Sequence, residues 1–257
     1  MRSGVALAVR VRARWPLPLG PAVAVLGWHR VDLEGGPLAV SPARFARQMD
    51  LLSEYRQRFP VAHLDQVGSF LASGKCACRR VVLTFDDAWA DNHTNALPPI
   101  SQHHLPATLY VPSRLLGKPG YMTRSQLLEM DAAGVTIGAH SRTHPDLRAC
   151  GPEELEREVR GSKEDLEDLL AKPVTSFAYP TGLTDQRVQA ALVAASFTSA
   201  VTTHPGWWRP ATKALEIPRS FVQNVSDATF LAALAGGLNI LGPLGAIKGL
   251  VPGGGRP

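Results

Sequence analysis

The sequence predicts an α/β fold in which short apolar runs alternate with longer helical patterns, the signature of β/α units that build a mostly parallel sheet or barrel. Three observations carry this. Seven apolar runs of five to seven residues recur along the chain, helical stretches separate them, and polar clusters begin where several of the runs end.

The predicted strands span 22–28, 81–85, 107–111, 135–139, 175–179, 197–202 and 215–219. The predicted helices span 42–55, 64–73, 91–102, 123–133, 152–171, 184–195 and 226–235. Ser41 is a natural N-cap, Pro42 suits the first helical position, and Thr123 can cap the fourth helix. The 152–171 segment places Leu155, Val159, Leu166, Leu169 and Leu170 on one stripe and its charges elsewhere, so it reads as an outer helix with a solvated face. No internal repeat and no long linker divides the chain. We expect an extension over 1–20, one main domain over 21–225, and an apolar helix followed by a Gly/Pro-rich tail over 226–257.

With 257 residues and 45% hydrophobic content, the chain can bury one large core. Twenty-seven basic against 22 acidic residues leave a net charge of +5, but no basic stripe interleaved with aromatics of the kind that binds nucleic acid. Cys76, Cys78 and Cys150 leave one cysteine over, and a one-residue spacer fits neither a zinc knuckle nor a thioredoxin-like pair. The prolines at 16, 18 and 21 interrupt the apolar run that a secretory signal would need. Cytoplasmic or membrane-peripheral placement is therefore expected over secretion; the apolar tail reads first as a helix docked on the core followed by a loose end, with a peripheral membrane contact as the alternative. No run reaches the roughly 18–20 apolar residues of a spanning helix. Oligomeric state has no signature in the sequence.

The run VVLTFDDAWADN, residues 81–92, ends a buried strand on two adjacent carboxylates. Uncompensated, such charges are costly to bury, so a metal, a cation or a reaction is expected beside them. Two more strands end in LGWHR, with His29, and TIGAHSRTHP, with His140 and His144. In β/α barrels the strand C-termini converge on one face, which brings distant residues together. Pro145 disfavours helical geometry at His144, so the two histidines belong to a turn. Two imidazoles and one carboxylate make a three-ligand metal site with an open position for water. Successive strand residues point opposite ways, so only one aspartate would reach the metal and the other would lie beside the water as a base. On this reading the metal compensates the pair.

TFDDAWADN, HSRTHPDL and FAYPTG together resemble the three motifs of the carbohydrate esterase family 4 polysaccharide deacetylases, the NodB-homology domains, over roughly residues 22–222. The resemblance implies a distorted (β/α)7 barrel and a divalent metal, zinc first, with cobalt and nickel as alternatives. Position by position it makes Asp86 the catalytic base and Asp87, His140 and His144 the metal ligands. It puts the Thr181 backbone N–H in the oxyanion hole. Two departures stand out. No histidine follows His204, so the family's late acid is missing; GWHRV looks like the poly-β-1,6-N-acetylglucosamine deacetylase branch, which makes His29 the acid and His204 the reserve. Ala178 stands where many members orient the base with an arginine, and Arg219 is the expected substitute.

Trp89, Tyr179, Trp207 and Trp208 are candidates for a sugar-stacking rim, while His93, His103 and His104 are expected to face solvent. The implied activity is removal of an acetyl group from an N-acetylated sugar in a polysaccharide or glycan precursor. The alternatives are a catalytically silent glycan-binding domain and a deacylase of a small amide or O-acetyl ester.

Overall fold

The computed structural model describes residues 21–34, 36–73 and 79–235. The expected 1–20 extension, Cys76, Cys78 and the tail after residue 235 lie outside the described residues.

Among the described residues strand β1 (Val23–Trp28) comes first and is followed by two short strands, β2 (Arg30–Val31) and β3 (Ala39–Val40), that pair with each other. Then come β4 (Arg80–Phe85), β5 (Ala107–Val111), β6 (Thr136–Ala139), β7 (Ser176–Ala178), β8 (Ser199–Val201) and β9 (Ser220–Phe221). Seven of these form one sheet in the order β8-β7-β6-β5-β4-β1-β9, with every pair parallel. This is the curled parallel sheet of a distorted (β/α)7 barrel.

The connecting helices are α1 (Pro42–Glu54), α2 (Leu64–Ser73), α3 (Leu97–Gln102), α4 (Arg124–Ala132), α5 (Pro152–Leu170), α6 (Gln186–Ala194) and α7 (Asp227–Leu234). Their starts follow the local chemistry. Ser41 accepts from the Arg44 N–H with Pro42 at the first position, and Thr123 with Gln126 forms a reciprocal capping box on α4. A π-helical stretch, Asn92–Ala96, precedes α3. Among the described residues no helix is long and apolar enough to cross a membrane.

Alternation along the strands sorts the core into two sides. Ala24, Leu26, Trp28, Leu83, Phe85 and Leu109 face one way and pack under α1 and α4–α7. Val23, Val25, Val82, Tyr110, Ala178 and Val201 face the other, where α2 covers them. Each fully buried Leu, Val or Phe contributes about 1.5–3 kcal/mol. Gly138 is needed here, because a Cβ on it would lie 2.5 Å from the Tyr110 ring.

Two expectations change. The segment 215–219 is not the seventh strand: Ile217 makes a single bridge to Val201 of β8, and the chain then shifts to pair Ser220–Phe221 with β1. Pro218, which has no N–H to offer a ladder, stands at the shift. Arg219 is thereby placed in the gap between the two sheet edges. His93 and His103 do not face solvent freely. Both are half-buried, with His93 Nε2 at 2.8 Å from Glu129 and His103 Nε2 at 2.9 Å from Asp50; His104 is exposed.

Candidate active site

On β4 the inward parity of Val82 and Thr84 continues to Asp86, which is buried at the strand's end; its N–H extends the ladder to the Trp28 carbonyl at 3.0 Å. Arg219 enters from the sheet gap. Its Nη1 donates to Asp86 Oδ1 and its Nη2 to Oδ2, both at 2.7 Å, while Nε donates to the Thr202 carbonyl at 3.0 Å. The Arg219 and Asp86 side chains are only 0% and 3% exposed. The expectation that a metal compensates both aspartates is thus corrected: Asp86 is compensated by Arg219 through a two-pronged charged pair. Burial pushes the Asp86 carboxyl upward, but Arg219, His140 and His29 outweigh it and hold it below the usual carboxylate range.

Asp87 leaves the strand. Positive φ angles at Asp87 (74°) and Ala88 (55°) turn the backbone into the left-handed region, where non-glycine residues are uncommon, and swing this carboxylate toward the histidine turn. Asp87 Oδ1 lies 3.4 Å from His140 Nε2 and 3.4 Å from His144 Nε2. The three ligand atoms all lie within 4.8 Å of one another. Two donors each about 2.1 Å from a tetrahedral ion sit about 3.4 Å apart, so the spacing fits a shared divalent cation better than a direct hydrogen bond. His140 Nδ1 is 2.7 Å from the Ala178 carbonyl, which assigns it the proton and leaves Nε2 as the free donor. The His144 N–H is received by Ser141 Oγ at 3.0 Å. Burial raises the Asp87 carboxyl, yet His140, His29 and His144 together depress it well below the normal range.

His29 follows β1 directly, and β1 pairs with β4 so that Trp28 lies opposite Phe85. His29 is therefore the lateral neighbour of Asp86. Its ring stacks on Phe221 at 4.9 Å, and Nδ1 is buried with no partner among the described residues. Burial pulls the His29 pKa below its ordinary value against the opposing pull of Asp86 and Asp87. Thr181 stands in a short turn after β7 with φ 63°, and its N–H has no protein acceptor among the described residues. His204 is exposed on the turn after β8 and offers its carbonyl to the Arg219 N–H at 3.0 Å.

The aromatic expectations are corrected. Trp207 and Trp208 are buried in the core. Trp208 bridges Val23, six positions and so about 20 Å along β1 from His29. Neither lines a rim. Tyr179 is also buried, its hydroxyl donates to the Leu215 carbonyl at 3.0 Å, and burial pushes its pKa up to about 12. Trp89 stacks on Tyr121, 4.5 Å away, and has Arg30 over its ring at 4.9 Å, so its ring is engaged by protein partners. Instead its Nε1 donates to Asp87 Oδ2 at 3.1 Å, which leaves Oδ1 for the histidines.

The reading of α5 as a plain outer helix missed Glu158. Its buried carboxylate holds the backbone of the turn between the two histidines. A signal existed: Glu158 falls on the same helical stripe as Leu155 and Val159.

A sequence model described as "Polysaccharide deacetylase" matches residues 73–200. YxkH of Bacillus subtilis, assigned to the polysaccharide deacetylases, is 27% identical over 185 residues, or 71% of this chain and 64% of that protein. A chitooligosaccharide deacetylase of Rhizobium leguminosarum is 34% identical over 88 residues, covering 34% of this chain and 39% of that one. The matches thus span less than two thirds of these relatives' lengths. Among solved structures, the Streptococcus pyogenes deacetylase PplD in complex with acetate superposes with a TM-score of 0.77 at 24% identity, over 84% of this chain and 99% of that chain. Residues 73–200 thus carry a polysaccharide deacetylase domain, the NodB-homology domain of carbohydrate esterase family 4.

Proposed function

We propose that this protein is a metal-dependent deacetylase that hydrolyses the N-acetyl group of an N-acetylated sugar in a polysaccharide or glycan precursor. The observation that carries the reading is the division of labour at 86–87. One carboxylate is bound to a buried arginine, and its neighbour stands 3.4 Å from two imidazole nitrogens. The names of the relatives support an acetylated glycan as the substrate class.

Asp87, His140 and His144 would hold the ion, with zinc the first choice for two imidazoles and a carboxylate. When bound, such an ion polarises an amide carbonyl and acidifies water. Asp86, kept ionised and oriented by Arg219, accepts the proton of the attacking water. The Thr181 N–H supports the negative charge that develops on the carbonyl oxygen. His29, lateral to Asp86, takes over the proton that Asp86 removed from the water and passes it to the departing amine, and acetate and a free amino sugar leave. The intact set of four residues argues against a silent glycan-binding domain.

The test is acetate release from chitooligosaccharides and poly-N-acetylglucosamine with zinc, cobalt or nickel added to chelator-stripped protein. Metal-dependent acetate release is expected. Binding of these glycans without any acetate release would favour the silent domain.

A further inference from the structure

Helix α5 stands outside the sheet, yet it grips the turn that carries His144. Glu158 Oε2 accepts from the Arg142 N–H at 2.8 Å and the Thr143 N–H at 2.9 Å, and its Oε1 accepts from Thr143 Oγ1 at 2.7 Å. Two turns further along, Asp165 takes the Arg142 side chain, with Nε at 2.9 Å and Nη2 at 3.2 Å, and also the Ser113 hydroxyl at 2.7 Å. Between them is Gly161. A Cβ there would lie 2.8 Å from Arg142 Cδ, so this mid-helix glycine leaves the space through which the arginine side chain runs.

The turn needs such a hold. Ser141 and His144 both sit in the left-handed region, at φ 60° and 66°. Non-glycine residues keep that conformation only where their surroundings impose it. The two N–H groups that Glu158 receives belong to the two residues linking those strained positions. Solvation of the charged head alone would have kept Glu158 at the surface; burial with three donors marks a fixed carboxylate.

We propose that Glu158, Gly161 and Asp165 form a positioning cradle on α5 that fixes the 141–144 turn and thereby sets the metal affinity of the His140/His144/Asp87 site. None of the three is among the residues that would hold the ion. The inference rests on the metal site of the proposed function, and the cradle acts through His144. Outer partners of metal ligands, when removed, typically weaken metal binding about 10–100-fold.

The experiment measures zinc affinity of the full chain by chelator competition, together with the d–d absorption of the cobalt-loaded protein and the thermal midpoint of the metal-free protein. Glu158→Gln keeps the volume but removes the charge and one acceptor. It is expected to weaken zinc binding at least about tenfold and to alter the cobalt spectrum. Gly161→Ala is the second variant. Its gain in helix propensity offsets part of the cost of displacing Arg142, so the metal-free protein should stay close to wild-type stability while zinc binding weakens. A merely structural role would move the thermal midpoint and leave affinity and spectrum alone. Wild-type zinc affinity and an unchanged cobalt spectrum in both variants would overturn the cradle. If the wild-type protein itself holds no zinc, the metal reading fails and the cradle with it.

Discussion

Asp86 and Arg219 meet through two parallel 2.7 Å hydrogen bonds inside the barrel mouth, 133 residues apart in sequence. The pair holds a carboxylate ionised against the upward pull of burial. Arg219 does so from the chain shift between β8 and β9, in the absence of an arginine at Ala178. The Ala178 carbonyl meanwhile serves His140.

Removing Arg219 leaves that carboxylate buried and unpaired. Arg219→Met is expected to destabilise the fold by about 3–5 kcal/mol, read as a lower urea midpoint. The double variant Asp86→Asn/Arg219→Met should recover much of that loss. A double variant as unstable as the sum of the two single changes would show that the pair is not coupled.

Asp86→Asn alone should keep the metal and lose turnover by about 10²–10⁴-fold. Metal content by elemental analysis and acetate release by enzymatic assay check this together. Loss of the metal in this variant would exchange the roles of the two aspartates.

His29→Ala should depress kcat on amide substrates by about 10²–10⁴-fold and on activated esters far less, since their leaving groups need no proton. Equal losses on both substrates would move the acid to His204 or mark His29 as structural.

Asp165 connects acidity to stability. Burial pushes its carboxyl up, but Arg142, Ser113 and Arg114 bring it below its ordinary value. A carboxyl depressed in the folded state contributes stability above its unfolded pKa, near 3.9, and that contribution is lost as pH falls through the folded value. Asp165→Asn should therefore be less stable than wild type at pH 7, and the gap should close as pH drops below about 4. Urea unfolding across that range measures it, and a gap independent of pH would contradict the linkage.

Much of this was legible in the sequence, for identifiable reasons. Strands β1 and β4–β7 are visible as apolar runs, and the polar residues that follow β1, β4 and β6 point to one face of the sheet. Period-two alternation predicts that Asp86 and Asp87 face different partners, and they do: Arg219 for one, the two histidines for the other. What stayed illegible depends on contacts between distant segments. The shift from 215–219 to Ser220–Phe221 is a matter of which sheet edge the chain meets, and apolar character cannot report that. Tyr179, Trp207 and Trp208 looked like a rim because aromatic residues suit both sugars and cores, and burial decides between them. Glu158 was hidden among the charges of α5, although its place on the apolar stripe was readable. His29 and Arg219 lie outside the 73–200 family match, so their place at the site rests on the fold.

The most direct test of the account is an X-ray structure of the zinc-loaded protein with anomalous data at the zinc edge. One ion is expected, bonded at about 2.0–2.2 Å to His140 Nε2, His144 Nε2 and an Asp87 oxygen, with Asp86 still paired to Arg219. An ion bound through Asp86 instead, or no anomalous peak between the two histidines of zinc-saturated protein, would contradict it.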